Sequence, residues 1–258
     1  MDIPLELFEV SGLSINKEQN IFWMINDSGN KPILYGLDKN GNILKEITIR
    51  AKNRDWEDLT VDKKGNIYIG DFGNNKNERK NLSILKINKD SLNTNQKFIT
   101  PEIISFTYPE QTKFPPKNKK RHFDCESLIF HNDSLYMFTK SRSSKNKGKT
   151  NLYQLPSEKG DYKAKFINTF NTCEDKGCWV TSADINDDGS KIALLTENSV
   201  FIFSDFNTTD FFKSKVKRYS FNHSSQKESV CFKNDSTLYI ADEYVGINCG
   251  NLYQFKLD

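Results

Sequence analysis

One hairpin pattern occurs five times along the chain, and this repeat limits the possible folds more than any other feature. Each copy has a small or acidic residue pair, a short apolar strand, a polar turn and a second apolar strand. The turns contain Gly, Asn or Asp, residues that tolerate the backbone conformations of tight hairpins. The copies are SGLSINKEQNIFWMIND from Ser11, EDLTVDKKGNIYIGDFG from Glu57, ESLIFHNDSLYMFTKS from Glu126, TSADINDDGSKIALLTEN from Thr181 and ESVCFKNDSTLYIADEY from Glu228.

Further strand-like segments follow these copies. A third strand follows each copy, and a fourth follows all but the last: ILKEITIR, EIISFTYP, AKFINTF and KVKRYSF. We expect PLELFEV, which precedes the first copy, to supply the missing strand of the last unit, because ring closure leaves no open sheet edge. The sequence therefore predicts an all-β fold, a five-bladed β-propeller with four-stranded blades, as one domain over residues 1–258. Six blades or a β-sandwich are the alternatives, but a sandwich would not explain five matched hairpins.

Composition agrees with this fold and narrows the partners. The chain has 258 residues, of which 19 are Phe and 10 are Tyr, and aromatic residues favour strands. Its formal net charge of +3 gives no reason to expect nucleic-acid binding. It has no run of 18 apolar residues, so we expect no transmembrane segment. We also expect the protein to be a monomer. The opening MDIPLELFEV lacks the basic and apolar regions of a signal peptide.

Two of the five cysteines lie close together in NTCEDKGCWV. Cys173 and Cys178, with Gly177 to permit a tight loop, predict a local disulfide and therefore an oxidising compartment. The alternative is a pair of reduced surface thiols. Cys125 and Cys231 lie within apolar strand patterns, which predicts that they belong to the core.

The repeat places one column of polar residues at a mouth of the central channel, because the first strand of each propeller blade lines that channel. This column contains three carboxylates and two hydroxyls. The carboxylates would repel one another unless a cation compensates their charge. Their oxygen atoms suit a hard ion such as calcium or magnesium. Two alternatives are that each glutamate bonds the backbone of a neighbouring blade, or that water fills the channel. The candidate metal ligands are Glu57, Glu126, Glu228, Ser11 and Thr181.

The second strand of each hairpin returns to the same mouth, so its end adds further polar residues there. Loops on one face of a rigid scaffold are common places for binding sites. The alternative for each of these residues alone is that it is a solvated turn residue with no ligand to bind. The candidate ligand-binding residues are Asp27, Asn30, Asp58, Asp71, Asn74, Arg79, Lys140, Arg142, Glu197 and Glu243. Phe114, in a long loop, is predicted to form a rim or lid, and Trp56 to pack between blades.

Several strings in this chain resemble a family of exported bacterial propellers grouped with phytase-like and esterase-like domains. They are NDSGN, DWEDLTVD, GDFGNN with Arg79, FDCES, the FTKS around Lys140, and TSADI. The resemblance runs from Ser11 to about Phe203, and Bacteroidetes-type members are the most similar. It implies a secreted, periplasmic or lipoprotein location. A looser similarity is to calcium-dependent nucleotidases, which also place carboxylates at a five-bladed channel mouth.

Three functions fit these features. The first is an extracytoplasmic propeller that binds a divalent cation, calcium in particular, and recognises a small anionic ligand or protein partner at the mouth. The second is a metal-dependent phosphoesterase, in which Lys140, Arg142 and Arg79 neutralise the substrate. The third is a protein-interaction scaffold without a small-molecule site. We favour the first, because the acidic residues form a ring shared among blades and show no asymmetric cluster around a catalytic acid or base.

Overall fold

A computed structural model describes residues 1–94, 96–173, 177–223, 225–244 and 250–258. Five small antiparallel sheets stand around one axis, which confirms the predicted five-bladed β-propeller. The first strand of each blade packs beside the first strand of the next blade, and that of the fifth blade packs against that of the first. The ring is therefore closed around a central channel.

The blades follow one another along the chain. Blade 1 contains β1 (Val10–Asn16), β2 (Ile21–Asn26), β3 (Ile33–Leu37) and β4 (Ile43–Ile49). Blade 2 contains β5 (Trp56–Val61), β6 (Ile67–Asp71), β7 (Leu82–Ile87) and β9 (Glu102–Thr107), with the short β8 (Phe98–Ile99) before β9 in the chain. Blade 3 contains β10 (Asp124–His131), β11 (Ser134–Lys140), β12 (Lys149–Pro156) and β14 (Lys165–Asn171), with β13 (Gly160–Lys163) before β14.

The last two blades carry no additional strand among the described residues. Blade 4 contains β15 (Val180–Ile185), β16 (Lys191–Thr196), β17 (Ser199–Ser204) and β18 (Lys215–Ser220). In the described part of the chain, blade 5 contains three strands, β19 (Lys227–Asn234), β20 (Thr237–Asp242) and β21 (Leu252–Lys256). The helical segments that the structure describes are one α-helical turn, α1 (Lys89–Leu92), and three 3-10 turns at Leu5–Leu7, Asn118–Lys120 and Phe211–Lys213. No helix in the described part of the chain is both long and apolar enough to span a bilayer.

The N-terminus meets the last blade, but through other residues than predicted. Leu5–Leu7 in PLELFEV form a 3-10 turn, so the prediction that this segment is a strand is wrong. Instead Asp2 makes an isolated antiparallel bridge with Asn251, and Leu252 donates to the Met1 carbonyl at 2.8 Å. Pro4 lacks an N–H group, so the pairing does not continue past Ile3. In the described part of the chain, the fourth strand of blade 5 therefore consists of residues 1–3, which lie beside residues 250–252.

Two blades carry an additional outer strand that belongs to the following blade. The short β8 pairs in parallel with β4 of blade 1, and β13 pairs in parallel with β9 of blade 2. Connections of blades 2 and 3 thus cover the edges of blades 1 and 2, respectively. An additional strand removes unpaired backbone groups from each of these edges.

The core consists of apolar layers between neighbouring blades. Trp56 is fully buried between blades 1 and 2, as predicted. Cys125 and Cys231 are also buried, which confirms their predicted place in the core. Cys173 and Cys178 are joined by a disulfide, and Gly177 adopts a φ of 76° between them, a conformation that favours glycine.

Candidate functional site

A β-bulge near the start of the first strand shapes the channel mouth in every blade. The pairing of the first strand with the second shifts by one residue at this place in all five blades. A bulge leaves one residue outside the ladder and re-aims its side chain. The bulged residues are Ser11, Glu57, Glu126, Thr181 and Glu228, the same column that the repeat predicts as metal ligands.

The two hydroxyls of this column join neighbouring blades. The Ser11 hydroxyl donates to the carbonyl of Trp56 at 2.9 Å, which links blade 1 to blade 2. The Thr181 hydroxyl donates to the carbonyl of Lys227 at 2.7 Å, which links blade 4 to blade 5. Ser11 and Thr181, which the sequence analysis proposed as metal ligands, therefore have an inter-blade role in the structure, and we leave both out of the metal site.

Glu57 belongs to two groups of carboxylates close enough to hold a metal ion. The first, which we call the acidic triad, consists of Asp27, Asp55 and Glu57. The second consists of Glu57, Asp124 and Glu126. Within each group, the oxygen atoms that could bind an ion lie within 4.8 Å of one another. Three carboxylates at this spacing match the hard oxygen ligands that calcium and magnesium prefer.

Two cations already neutralise the second group. Arg142 Nε lies 2.5 Å from Asp124 Oδ2, and Arg142 Nη2 lies 3.1 Å from Glu126 Oε1. Lys140 Nζ donates to Glu126 Oε2 at 2.9 Å. Burial lowers the pKa of Lys140, but the carboxylates of Glu126 and Glu228 outweigh burial and raise its pKa overall. Lys140 and Arg142 thus remain charged and compensate Asp124 and Glu126.

The acidic triad lacks comparable compensation among the described residues. Its nearest cation is Arg79, whose Nη1 lies 4.0 Å from Asp55 Oδ2. That guanidinium is directed elsewhere, because it donates to Asp71 Oδ1 at 2.8 Å and to the Gly73 carbonyl at 2.7 Å. The three carboxylates of the triad therefore have one guanidinium nearby, and its hydrogen bonds go to Asp71 and Gly73.

Glu57 is the least satisfied member of the triad. It is 7% exposed, and no described residue donates a hydrogen bond to its carboxylate. Burial, and then the nearby Glu126, raise the pKa of Glu57 well above its usual value. Gly73 leaves room for it, since a Cβ atom at that position would lie only 2.0 Å from Glu57 Oε1. A largely buried carboxylate without a protein donor is stabilised by a proton, by water or by a cation.

Asp27, a member of the triad, and Asn30 lie in the turn that follows β2. Burial raises the pKa of Asp27 to about 6, and the charge of Asp55 contributes to this rise. Asn30 donates to Glu9 Oε2 at 2.5 Å and to the carbonyl of Asp27 at 3.1 Å. The Asn30 amide therefore braces the turn that carries Asp27.

Asp71, Asn74 and Arg79 brace the loop between β6 and β7. Besides its bond from Arg79, Asp71 accepts from Arg54 at 3.3 Å. The Asn74 side-chain oxygen accepts from the backbone N–H of Arg79 at 2.9 Å, and the Asn74 backbone N–H donates to Asp124 Oδ1 at 2.5 Å. The polar groups of all three residues are engaged in this network.

The other side of the mouth holds Glu197, Glu228 and Glu243. Burial raises the pKa of Glu228 to about 7, although Lys140 opposes this rise, and Glu243 and Glu197 add to it. Burial likewise raises the pKa of Glu243 to about 7. Lys140 therefore lies between two acidic regions, bonded to Glu126 and electrostatically attracted by Glu228. Glu228 shares the mouth with Glu57 and Glu126, but it belongs to neither metal-capable group.

Asp58 lies below the mouth and joins three blades. Its carboxylate accepts from the backbone N–H groups of Leu128 at 3.0 Å and Ala183 at 3.3 Å, and from that of Leu59 at 2.9 Å. The Ser182 hydroxyl also contacts both of its oxygens at 3.3 Å. Asp58 is fully buried, so the structure assigns this predicted ligand-binding residue to the assembly of blades 2, 3 and 4.

Sequence reasoning missed Asp55 and Asp124, which complete the two groups. Each precedes the bulged glutamate of its blade by two residues, in DWED and FDCE. The shared Asp-x-Glu spacing was the available signal. A cavity of about 630 Å³ lies at the opposite mouth, where the hairpin turns of β1–β2 and β5–β6 meet.

The fold and this mouth define the chain as a five-bladed β-propeller with a buried acidic cluster at one end of its channel. Residues 6–111 match the model of a family described as SdiA-regulated. That stretch spans nearly all of blades 1 and 2 and includes the whole acidic triad. No curated protein matches the sequence significantly.

Solved structures similar to this chain are also propeller-like, at low identity. A gluconolactonase from Xanthomonas campestris is 12% identical with a TM-score of 0.54, and the alignment covers 96% of this chain and 72% of that protein. A putative gluconolactonase is 11% identical with a TM-score of 0.52, covering 97% and 77%. A streptogramin B lyase is 13% identical with a TM-score of 0.47, covering 99% and 71%. The two structures with TM-scores above 0.5 support the fold alone, and the resemblance to phytase-like propellers stays a prediction.

Proposed function

We propose that this chain is an extracytoplasmic β-propeller that binds a divalent cation, calcium by preference, in the acidic triad, and recognises a small ligand or partner at the same mouth. The observation that carries the proposal is Glu57. Its carboxylate is 7% exposed, receives no hydrogen bond from the described residues and points into a group with Asp27 and Asp55. A bound cation would compensate all three charges at once.

Calcium is favoured over softer metals by the ligands available. Carboxylate oxygens select hard ions, and the triad contains neither imidazole nor thiolate. Calcium also takes six to eight oxygen ligands in flexible geometry, so water or a ligand carrying carboxylate, phosphate or hydroxyl oxygens would complete its coordination. This open coordination is the basis for proposing that a small oxygen-rich ligand binds at the mouth.

The phosphoesterase alternative receives less support from the charges at the mouth. It requires Lys140, Arg142 and Arg79 to face a substrate phosphate. Each of the three instead contacts a buried carboxylate at 3.1 Å or less. We therefore propose binding in preference to hydrolysis.

The test is the melting temperature of the protein in EDTA and with added calcium chloride or magnesium chloride. Calcium at about 100 times its Kd stabilises the folded state by about 2.7 kcal/mol, and we expect a corresponding rise in Tm. Glu57→Gln should abolish this rise. In EDTA it should be about as stable as the wild type, because glutamine resembles the protonated acid that the raised pKa of Glu57 favours.

Glu18→Gln is the matched control, because Glu18 is exposed and lines the opposite mouth. It should respond to calcium like the wild type. A double variant, Glu126→Gln with Glu228→Gln, tests whether the larger predicted ring holds the ion. We expect it to retain more of the calcium response than Glu57→Gln. A wild-type Tm that calcium leaves unchanged, or a full response in Glu57→Gln, would contradict the proposal.

A further inference from the structure

Two segments of blade 3 beside the acidic mouth carry only positive charge. One is residues 111–123, which lead into β10, and the other is residues 139–150, which run from the end of β11 into β12. Each segment contains five Lys or Arg residues and no Asp or Glu. Lys140 and Arg142 neutralise buried carboxylates, but the other cations have no such role. Six of these others form a surface that we call the basic rim: Lys117, Lys119, Lys120, Arg121, Lys145 and Lys147.

Hydrogen bonds hold the two segments side by side. The backbone N–H of Arg142 donates to the carbonyl of Arg121 at 2.9 Å, and His122 Nδ1 lies 2.9 Å from Ser141 Oγ. The charge of Lys149 also reaches His122, where it adds to the effect of burial and lowers the pKa of the imidazole. The basic rim is therefore one surface built from both segments.

The first segment is fixed at both ends by one buried residue. Gln111 Nε2 donates to the carbonyl of Asn77 at 2.8 Å, and the backbone N–H of Phe123 donates to Asn77 Oδ1 at 3.0 Å. Asn77 is fully buried. Between these ends, residues 118–120 form a 3-10 turn. The backbone that carries the lysines is thus held in place before any ligand binds, which lowers the entropic cost of binding.

The cations of the basic rim have no anionic partner. Its five lysines are exposed, and none of them forms an ion pair with a described residue. Arg121 is half-buried, and its Nε is buried without a hydrogen-bond acceptor among the described residues. Clustered cations of this kind create a positive potential that attracts anions with several charges.

The acidic mouth beside the basic rim limits the shape of the partner. β10 begins and β11 ends at this mouth, so the rim borders the acidic triad and its neighbours. A flat anionic membrane that touched the rim would also approach these carboxylates, and repulsion would oppose its binding. A narrow polyanion can follow the rim without crossing the mouth. The arrangement of charge therefore favours a linear polymer over a membrane.

The aromatic rings next to the basic rim favour a sugar polymer over single-stranded nucleic acid. Arg142 Cζ lies 5.7 Å and Lys147 Nζ 6.0 Å from the ring centroid of Trp179. Lys80 Nζ lies 5.1 Å from that of Phe114. These rings therefore hold cations in place. Proteins that bind single-stranded nucleic acids instead use rings on which the bases stack.

We propose that the basic rim binds a linear acidic polysaccharide, a polymer whose sugars carry carboxylate or sulfate groups. The Cys173–Cys178 disulfide agrees with an oxidising compartment, where such polymers are more common partners than nucleic acids. The choice of polymer thus rests on the proposed extracytoplasmic location. Binding of a polyanion at the rim does not depend on the cation site at the mouth.

The test is fluorescence anisotropy with labelled heparin, a sulfated polymer, and labelled polygalacturonate, a carboxylated one. Neutral dextran is the control polymer, and EDTA with about 50 mM sodium chloride keeps calcium absent and screening low. We expect the wild type to bind at least one polyanion, less tightly as salt is added, and not to bind dextran. Lys117→Gln, Lys120→Gln and Lys147→Gln combined should weaken binding by about tenfold, because fewer condensed counterions are released.

The matched control is a second triple variant, Lys39→Gln, Lys215→Gln and Lys256→Gln, which removes the same charge from exposed positions on blades 1, 4 and 5. It should bind like the wild type. Glu57→Gln should also bind like the wild type, so failure of the calcium site and failure of the rim are distinguishable.

Three results would overturn the proposal. The first is that the wild type binds neither polyanion, and the second is that the two triple variants bind equally. The third is tighter binding of a DNA duplex, or of phosphatidylglycerol vesicles, than of either polysaccharide, because the partner would then belong to another class of macromolecule.

Discussion

Several carboxyl groups around the mouth hold protons near neutral pH because they are buried close to one another. Burial raises the pKa of Asp27 to about 6, and those of Glu228 and Glu243 to about 7. In each case a neighbouring carboxylate adds to the rise. At the scale of single residues, proton binding and cation binding at this mouth therefore compete for the same charges.

This competition predicts a pH dependence of stability. An acid whose pKa is raised on folding binds protons more tightly in the folded state, so its contribution to stability is lost as pH rises through the folded value. In EDTA, the free energy of unfolding should fall between pH 5 and pH 8. His122 acts in the opposite sense, because burial lowers its pKa to about 4, but the carboxylates outnumber it.

Urea denaturation at several pH values provides the measurement for this prediction. Calcium should flatten the fall, since the ion replaces the lost protons, and Asp27→Asn should reduce it in EDTA. A metal-free protein whose stability stays constant or increases from pH 5 to pH 8 would show that these groups do not titrate as the structure indicates.

At the scale of the strands, a bulge at the same position of each blade brings five residues that are far apart in the sequence to one mouth of the channel. The bulge shifts the register at the same place in every first strand, between Trp56 and Asp58 in blade 2, for example. The bulged side chain is re-aimed, whereas the next residue stays in the ladder. This is why Glu57 joins the acidic triad at the mouth, while its neighbour Asp58 bonds the strands of blades 3 and 4.

Asp58 should therefore matter more for stability than any exposed turn aspartate. Asp58→Ala leaves the backbone N–H groups of Leu128 and Ala183 without their carboxylate acceptor, at about 1–3 kcal/mol for each buried donor. Asp38→Ala is the control, because Asp38 caps the β3–β4 turn through similar bonds but is only half-buried. We expect a much smaller loss there. Equal losses in urea denaturation would contradict the inter-blade role of Asp58.

The repeat predicted the blades well, because strand alternation and turn residues are local properties of the chain. NLYQLPS and SVFIFSD, for example, correspond to β12 and β17. What the sequence could not supply were contacts between distant segments. The parallel pairing of β13 with β9 leaves no periodic pattern in the four residues Gly160–Lys163. The neutralisation of Glu126 by Lys140 and Arg142 likewise depends on distances that only the folded structure gives.

At the scale of the whole molecule, the Cys173–Cys178 disulfide supports the proposed location outside the cytoplasm, because such bonds persist in oxidising compartments. When the protein is exported in cells, these two cysteines should resist alkylation under denaturing, non-reducing conditions, as measured by mass spectrometry. The buried Cys125 and Cys231 should be alkylated after denaturation and are the internal control. Full alkylation of Cys173 and Cys178 in the exported protein would contradict the prediction.

The strands that cover the edges of blades 1 and 2 also affect how separable the blades are. Blade 1 is completed by β8 from the chain of blade 2, and blade 2 by β13 from the chain of blade 3. A fragment cut between two of these blades would lose both an inter-blade layer and a strand of the preceding sheet. The first half of the ring should therefore unfold as one cooperative unit, unlike repeat arrays whose modules can be removed or duplicated one at a time.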